Sequence, residues 1–390
     1  MRADTPHLAE RVRNIAPFHV MELLERAKAL EAQGRSIVHM EIGEPDFATA
    51  EPIIRAGQRA LEQGHTAYSP ALGLPALREA IAGHYARRYG VGLDPRRVIV
   101  TAGGSAALQL VLGVLVDIGE EVLLTDPGYP CNRHFVRLFE GRARNIPVHR
   151  ETRYQLTADL LRAHWSRSTV AALVASPANP TGTLINAHEL AAMAAFATQR
   201  GGALIVDEIY HGLVYDGEAP TALALSDNVF VLNSFSKYFG MTGWRLGWIV
   251  APEAYIRPLE KLQQNVYISA STPAQHAALA AFTPEAEAIF EQRRLAFRER
   301  RDYLLPALRE LGFDIPLTPE GAFYLYANCE RFGQDSFELS RRMLEEAGVA
   351  VTPGIDFGEF GAAQHLRFAY TTGLDQLREG VARLEKFLRG

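Results

Sequence analysis

Residues 228–251, NVFVLNSFSKYFGMTGWRLGWIVA, contain two apolar runs separated by a polar and aromatic loop. The first run, 228–233, and the second, 246–251, have the β-branched and aromatic content of buried strands. Lys237 lies between them, next to serines and aromatic residues, and Arg245 follows eight residues later. A lysine this close to two core strands is not expected to be an ordinary exposed surface residue. The stretch therefore predicts a functional site where a buried strand ends.

Apolar runs of this kind recur along the central part of the chain. Runs that stay apolar throughout are typical of strands buried on both faces of a parallel sheet. The helical stretches between them are long enough for crossover connections. The sequence therefore predicts an α/β fold with a mostly parallel sheet between helices. The runs are RVIVT (97–101), EVLLTDP (121–127), VAALVASP (170–177), ALIVDEIY (203–210), NVFVLN (228–233) and LGWIVA (246–251).

After residue 275 the pattern changes to a smaller α+β domain. Its predicted elements are a long charged helix at 284–310, the run GAFYLYAN, a helix near 335–347, the runs VAVTPG and LRFAY, and a final helix near 374–388. An amphipathic helix is predicted at 17–33, and we expect it to join this domain. We expect a large domain at 46–275 and a small domain formed by 1–45 and 276–390.

Composition narrows the classes of protein. The 390 residues are 48% hydrophobic, which is typical of a globular protein, and the net charge of −5 predicts no nucleic-acid partner. No apolar run approaches the roughly 20 residues that span a bilayer, so we expect no membrane partner. The N-terminal stretch has no apolar signal segment, which predicts a cytoplasmic protein. The histidines and the two cysteines form no metal-binding pattern.

Polar residues directly follow several of these apolar runs. In a parallel sheet these positions are the carboxyl ends of the strands, which lie at one edge of the sheet, and ligands bind at that edge. Lys237 supplies an amine, and a lysine amine becomes catalytically useful when it forms a Schiff base with pyridoxal 5′-phosphate (PLP). PLP also needs a carboxylate for its pyridine nitrogen, and Asp207 at the end of ALIVD is a candidate. Tyr210 and Asn179 are candidate donors to the ring oxygen of PLP.

A phosphate cradle is the remaining requirement of PLP. The helical pattern SAALQLVLGVL begins at Ser105, directly after the glycine pair Gly103 and Gly104. A helix N-terminus with glycines offers free backbone N–H groups and a favourable dipole to phosphate. Two further phosphate donors and one aromatic residue that stacks on the ring complete the candidates: Ser234, Arg245 and Tyr129.

Each candidate also has an ordinary explanation when it is taken alone. Lys237 fits an exposed loop lysine, Asp207 fits a helix cap, and Asn179 before a proline fits a turn. Tyr210 and Tyr129 fit core aromatic residues, as the glycine pair fits a plain turn. The combination, in this order, favours the PLP site.

Nine short motifs are spread over nearly the whole chain. They are GEPDF (43–47), TAYSPALGLPALREAIA (66–82), TAGGSAAL (101–108), DPGYP (126–130), SPANPTG (176–182), VDEIY (206–210), SFSKYFGMTGWRLGW (234–248), EGAFY (320–324) and LRFAY (366–370). The series resembles the fold-type I PLP-dependent enzymes, class I/II aminotransferases, and within them the bacterial subgroup of aspartate, alanine and aromatic aminotransferases. The resemblance implies the large and small domains of that fold.

The resemblance also implies a role for each candidate. Lys237 forms the Schiff base and moves a proton between the substrate Cα and the cofactor. Asp207 pairs with the pyridine nitrogen, and Asn179 and Tyr210 donate to the ring oxygen. We expect Lys237, Asp207 and Tyr210 to be catalytic. The remaining cofactor contacts are Gly103, Gly104, Ser105, Tyr129, Ser234 and Arg245.

The resemblance implies substrate contacts as well. Arg367 matches the arginine that grips the substrate α-carboxylate, with Asn179, the backbone of Gly43 and Tyr129 beside it. Tyr68 matches a tyrosine that reaches the phosphate of a neighbouring subunit, which implies a homodimer with shared active sites. The ordinary alternatives are a solvent-facing loop tyrosine for Tyr68 and a turn residue for Gly43.

The expected function is an aminotransferase that moves an amino group from an L-amino acid to a 2-oxo acid by a ping-pong mechanism. Phe18, Val20 and Tyr267 favour a neutral or aromatic substrate, and Ser105 or Ala106 stands where aspartate-type members place a basic residue. Glutamate and 2-oxoglutarate are the expected second pair, and His19 leaves recognition of an acidic group open. Two alternatives are a PLP-dependent carbon–sulfur lyase and a non-catalytic ligand-binding regulator.

Overall fold

The computed structural model of the chain describes residues 7–13, 15–333 and 335–389. The predicted small domain also includes residues 1–6, 14, 334 and 390, which lie outside the described residues. The strands are β1 Val38–Met40, β2 Val98–Thr101, β3 Glu121–Asp126, β4 Arg142–Pro147, β5 Thr169–Ala175, β6 Ala203–Asp207, β7 Val229–Ser234, β8 Gly247–Val250, β9 Tyr324–Asn328, β10 Val349–Pro353 and β11 His365–Ala369.

Helices surround these strands. They are α1 Glu10–Arg13, α2 His19–Ala32, α3 Glu51–Glu62, α4 Pro75–Tyr89, α5 Gly104–Leu115, α6 Pro130–Leu138, α7 Ala158–His164, α8 Ala187–Gln199, α9 Glu253–Val266, α10 Thr272–Leu279, α11 Pro284–Glu310, α12 Ser336–Arg342 and α13 Leu374–Arg389. A π-helical turn, Met343–Ala347, continues α12. Among the described residues, no helix is both long and apolar enough to cross a membrane.

The larger sheet has the strand order β2-β8-β7-β6-β5-β3-β4. It is mostly parallel, which confirms the predicted α/β fold class. One strand differs, because β8 runs antiparallel to both β2 and β7. The edge strand β4 has the sequence RARNIP and no apolar run, so the sequence pattern did not predict it.

The central strands are apolar throughout because both faces of the sheet are covered. On β6, Leu204 and Val206 belong to one buried apolar cluster, whereas Ala203 and Ile205 belong to another. Successive side chains of a strand point to opposite faces, so a continuous apolar run supplies both cores. This burial fixes the position of the strand ends, where the polar residues begin.

The smaller sheet has the order β1-β10-β11-β9, and β1 pairs in parallel with β10. The N-terminal segment and the C-terminal part of the chain therefore share one sheet. Helix α2 packs on this sheet through Leu23, Ala27 and Leu30, which cluster with Ile37 and Ala350. The residue boundaries of the two domains stay a prediction.

A glycine at the start of β8 allows the larger sheet to approach the loop before α5. A Cβ atom on Gly247 would lie 2.8 Å from the backbone oxygen of Asn233 and 2.9 Å from the carbonyl carbon of Gly103. These contacts are closer than non-bonded atoms tolerate, and backbone atoms cannot move aside as a side chain does. Gly247 therefore sets the position of the Gly103 loop.

We predict that Gly247→Ala lowers the free energy of unfolding by about 1–3 kcal/mol, because the added methyl group overpacks the strand against that loop. Chemical denaturation of the variant and the wild type measures the difference. Gly243→Ala is the matched control, since a Cβ atom at Gly243 meets nothing within 4 Å. Equal stability of the two variants would contradict the prediction.

Candidate active site

A cavity of about 380 Å³ lies at the carboxyl ends of three parallel strands. Ala175, Asp207 and Ser234, the last residues of β5, β6 and β7, all line it. Tyr324 of β9 and Arg367 of β11 border it from the smaller sheet. The cavity thus lies between the two sheets, at the strand edge where the sequence predicted a site.

The structure brings most of the predicted site residues together around this cavity. Those lining it are Gly43, Gly104, Ser105, Tyr129, Asn179, Asp207, Tyr210, Ser234, Lys237, Arg245 and Arg367. Two predicted residues do not line it. Gly103 lies one residue outside, as the N-cap of α5, and Tyr68 is 81% exposed on the surface.

Lys237 lies in the loop after β7, and its amine donates a hydrogen bond of 2.6 Å to the backbone oxygen of Gly43. Burial, together with the positive charges of Arg367 and Arg245, lowers the pKa of Lys237 to about 8, against the opposing charge of Glu44. A neutral amine is a nucleophile, whereas an ammonium group is not. The site therefore raises the fraction of the reactive, neutral amine near neutral pH above that of an ordinary lysine.

Asp207 ends β6 with its carboxylate in the cavity wall. One oxygen accepts the backbone N–H of Ile209 at 3.0 Å. Burial raises the pKa of Asp207 to about 6, against the lowering effects of that hydrogen bond and of the charge on Lys237. A cationic nitrogen beside a buried carboxylate would stabilise its ionised form. The protonated pyridine nitrogen of PLP is such a group.

The part of the cavity at the start of α5, called this end below, has the features of a phosphate site. Helix α5 begins at Gly104 without a side-chain cap, its first N–H groups have no partner within the helix, and Gly104 and Ser105 line the cavity. Arg245, which has a left-handed φ of 54°, donates to the backbone oxygen of Thr242. A Cβ atom on Gly103 would lie 2.6 Å from the Arg245 guanidinium, so glycine there permits the approach.

Ser236 also lines this end, and the sequence reasoning did not single it out. Its hydroxyl oxygen lies 2.9 Å from that of Ser234, and the Ser234 hydroxyl also lies 3.1 Å from the backbone oxygen of Leu246. The motif SFSK (234–237) could have pointed to Ser236, because this serine directly precedes Lys237 and lies two residues after Ser234.

Two tyrosines and an amide also line the cavity. The hydroxyl groups of Tyr210 and Tyr324 are 2.8 Å apart. Burial raises the pKa of Tyr210 well above its ordinary value, so its hydroxyl stays protonated. Asn179 accepts a hydrogen bond from Arg367 at 3.0 Å through its side-chain oxygen, which leaves its N–H₂ group to donate. Tyr324 belongs to the EGAFY motif, from which the sequence assigned no role.

Arg367 is only 3% exposed, and its hydrogen-bond acceptors are uncharged. Besides Asn179, they are the backbone oxygen of Glu41 at 2.6 Å and the hydroxyl of Thr352 at 3.1 Å. The rings of Tyr324 and Phe357 lie 4.3 and 4.7 Å from its guanidinium carbon. In the described part of the chain, its Nε has no hydrogen-bond partner. A buried cation of this kind fits an anionic ligand such as a carboxylate.

These groups match the chemistry of PLP and of an amino acid. The cavity contains an amine with a lowered pKa, a buried carboxylate, hydroxyl and amide donors, and a helix N-terminus with the partial positive charge of its dipole. Arg367 supplies a separate carboxylate-binding group. The fold and the site together define a PLP-dependent enzyme that acts on amino acids.

Comparison with known proteins agrees with this class. The chain belongs to the aminotransferase class I and II family, whose sequence model matches residues 35–384. It is 38% identical to a valine–pyruvate aminotransferase of Mycobacterium tuberculosis, over 96% of this chain and 97% of the relative. It is 36% identical to a probable aspartate/prephenate aminotransferase of Aquifex aeolicus, over 98% of each chain.

A solved structure shows the same fold. The crystal structure of an aminotransferase from Mycobacterium tuberculosis superimposes with a TM-score of 0.95 at 37% identity, over 99% of this chain and 100% of the other. Members of the family depend on PLP. The protein is therefore a PLP-dependent aminotransferase of fold type I.

We predict that the cofactor-free protein captures PLP at Lys237 with a rate that rises up to about pH 8 and then levels off, because the lowered pKa leaves the amine neutral above that pH. At pH 7, about a tenth of such an amine is neutral, far more than of an ordinary lysine. Borohydride trapping at timed intervals, followed by peptide mass spectrometry, measures the rate. The exposed Lys261 in the same digest provides the comparison.

A capture rate at Lys237 that kept rising about tenfold per pH unit through pH 10 would contradict the lowered pKa, since that profile belongs to an ordinary lysine.

Proposed function

We propose that this aminotransferase moves the amino group of a neutral, apolar or aromatic L-amino acid to a 2-oxo acid by a ping-pong mechanism. One observation carries the proposal: the buried guanidinium of Arg367 has only uncharged acceptors, and an apolar wall faces the same cavity. Arg367 binds the α-carboxylate, and the wall accommodates the side chain.

Three residues share the chemistry in this proposal. Lys237 anchors the cofactor and, when released, carries the proton from the substrate Cα, which its lowered pKa favours. Asp207 keeps the pyridine nitrogen protonated. Tyr210 donates to the ring oxygen together with Asn179. PLP supplies the electron sink that this proton transfer requires.

The phosphate contacts are proposed for residues at the start of α5, at the end of β7 and in the loop between β7 and β8. They are Gly103, Gly104, Ser105, Ser234, Ser236 and Arg245, with Tyr129 stacking on the ring. These roles rest on the positions of the side chains around one cavity and on the resemblance of the motifs.

The shape and charge of the cavity support a neutral substrate side chain. Phe18, Val20, Met21 and Leu24, all apolar, line its outer part. Among the described residues of the lining, the cationic side chains are Lys237, Arg245 and Arg367, and each has a proposed role. No lining cation is then left for a second substrate carboxylate.

Two residues considered from the sequence lie outside this lining. The Tyr267 hydroxyl donates to Gln109 at 3.0 Å, and the ring of His19 lies 5.0 Å from that of Phe337. Tyr267 does not line this cavity, and its contribution to the choice of substrate stays a prediction. His19 gives no support to recognition of an acidic side chain in this cavity.

The cavity constrains the 2-oxo acid that accepts the amino group less than it constrains the amino donor. The 2-oxoglutarate predicted from the resemblance carries a second carboxylate, for which the described lining has no spare cation. One relative is named for valine and pyruvate, another for aspartate and prephenate. A test of the function must therefore compare pyruvate with 2-oxoglutarate.

A homodimer with shared active sites is also part of the proposal. Tyr68 is a large aromatic residue, yet it is 81% exposed. The resemblance to the family implies that Tyr68 reaches the phosphate of a second copy of the chain. Sedimentation of the wild type and of Tyr68→Phe tests whether a dimer forms, with PLP affinity as the second readout. The carbon–sulfur lyase and the regulator have no observation of their own in their favour.

We predict that purified protein loaded with PLP converts apolar or aromatic L-amino acids to their 2-oxo acids, in amounts equal to the acceptor that is aminated. A panel of amino acids, each with pyruvate or 2-oxoglutarate and analysed by mass spectrometry, gives the ranking. Lys237→Ala removes the amine, so we expect turnover to fall by at least about a thousandfold.

Pyruvate and ammonia formed without any acceptor would indicate a lyase instead. Preference for aspartate would contradict the proposed side-chain class, and near-full activity of Lys237→Ala would contradict the role of the lysine. Preference for 2-oxoglutarate over pyruvate would mean that a cation outside the described lining binds its second carboxylate.

A further inference from the structure

Helix α2, which carries the apolar wall of the cavity, has no cap of its own. Its N-cap is Phe18, whose side chain makes no capping hydrogen bond. The first N–H groups of a helix have no partner within the helix and need an acceptor from elsewhere. The acceptor here comes from a residue more than three hundred positions away in the sequence.

That acceptor is Asp356, which is 2% exposed. One carboxylate oxygen accepts the backbone N–H of His19 at 3.0 Å, and the other accepts that of Val20 at 2.9 Å. A carboxylate at a helix N-terminus is also stabilised by the helix dipole. Asp356 therefore fixes the start of α2 through two charge-assisted hydrogen bonds.

Asp356 lies in a loop, residues 354–360, that also contacts the larger sheet and Arg367. The guanidinium of Arg133 donates to the backbone oxygen of Asp356 at 3.0 Å. The next residue, Phe357, accepts the N–H of Gly128 at 2.9 Å through its backbone oxygen and lies against the Arg367 guanidinium. One short loop thus joins the carboxylate-binding arginine to the start of α2.

The start of α2 is the part that faces the cavity. Phe18, Val20, Met21 and Leu24 line it, and Val20 is itself one of the two residues whose N–H groups Asp356 accepts. A shift of this helix end moves the wall that meets a substrate side chain. Arg367, which binds the carboxylate in the proposed function, lies on a different element, strand β11, and does not move with this helix end.

We propose that Asp356 is a positioning residue for substrate specificity. It holds the N-terminus of α2 so that the apolar wall meets the side chain of a substrate whose carboxylate is bound at Arg367. The inference rests on the function proposed above, because it concerns the side chain of that substrate. Loss of the Asp356 carboxylate then weakens recognition of a long apolar side chain relative to a short one, because both substrates share the carboxylate contact at Arg367.

Two unreactive carboxylates separate these effects. Propionate and 4-methylpentanoate both present a carboxylate to Arg367, but only the second is long enough to reach the wall formed by α2. Isothermal titration calorimetry of the PLP-loaded protein gives the dissociation constant of each. We expect the wild type to bind 4-methylpentanoate at least tenfold more tightly than propionate, since each buried methylene adds to affinity.

In Asp356→Ala, we expect this preference to fall at least fivefold, because the displaced wall is lost to 4-methylpentanoate, whereas any change at Arg367 affects both ligands alike. Asp356→Asn is the second variant, for the case that the alanine variant does not fold. It keeps one acceptor and places an amide donor against the other N–H group, so its preference falls as well. The same pattern is expected in kinetics, where KM for L-leucine rises and KM for L-alanine does not.

Glu345→Gln is the matched control. Glu345 pairs with Arg26 of α2 at 2.5 Å, so this variant removes another contact of the same helix, made by two residues that do not line the cavity. We expect it to keep the wild-type preference. Asp356 variants that keep the preference, or that weaken both ligands equally, would overturn the proposal. A wild type that does not prefer 4-methylpentanoate would instead contradict the apolar pocket of the proposed function.

Discussion

The buried guanidinium of Arg367 is the constraint on which the rest of the site depends. A charge taken out of water is costly unless it is paired, and the hydrogen-bond acceptors around Arg367 are all neutral. The rings of Tyr324 and Phe357 offset part of that cost through cation–π contacts. The remaining requirement is an anion, and a bidentate carboxylate satisfies it. The buried charge on the smaller sheet therefore supports the proposed binding of a substrate carboxylate at Arg367.

The two sheets contribute complementary halves of the site. The larger sheet ends in Asp207 and in the loop that carries Lys237, and the smaller sheet carries Arg367. Hydrogen bonds cross between these halves, from Arg367 to Asn179 and from Lys237 to the backbone of Gly43. Arg367 lies on a buried strand and Lys237 lies directly after one, so the packing of the two sheets sets the distance between guanidinium and amine. In the proposed function, one half of the site then meets the amino group of the substrate while the other half binds its carboxylate.

Elements with strong local patterns could be predicted from the sequence, whereas their long-range relations could not. The charged helix predicted at 284–310 is observed at Pro284–Glu310, because its periodicity is local. Strand β4 was missed because RARNIP lies at a sheet edge and needs no apolar run. The antiparallel direction of β8 leaves no trace in LGWIVA, since a strand buried on both faces is apolar in either direction. Asp356 was not singled out, because its partners at the start of α2 are defined only by the fold.

The most direct test of the account is a visible absorption spectrum of the PLP-loaded protein, taken with the preferred amino acid in the absence of any oxo acid. A second sample receives the amine that lacks only the carboxyl group of that amino acid. The account predicts that the amino acid replaces the PLP band with that of the pyridoxamine form, that an oxo acid restores it, and that the amine leaves it almost unchanged. An equal change with the amine, or no change with any amino acid, would contradict a site organised around the carboxylate-binding charge of Arg367.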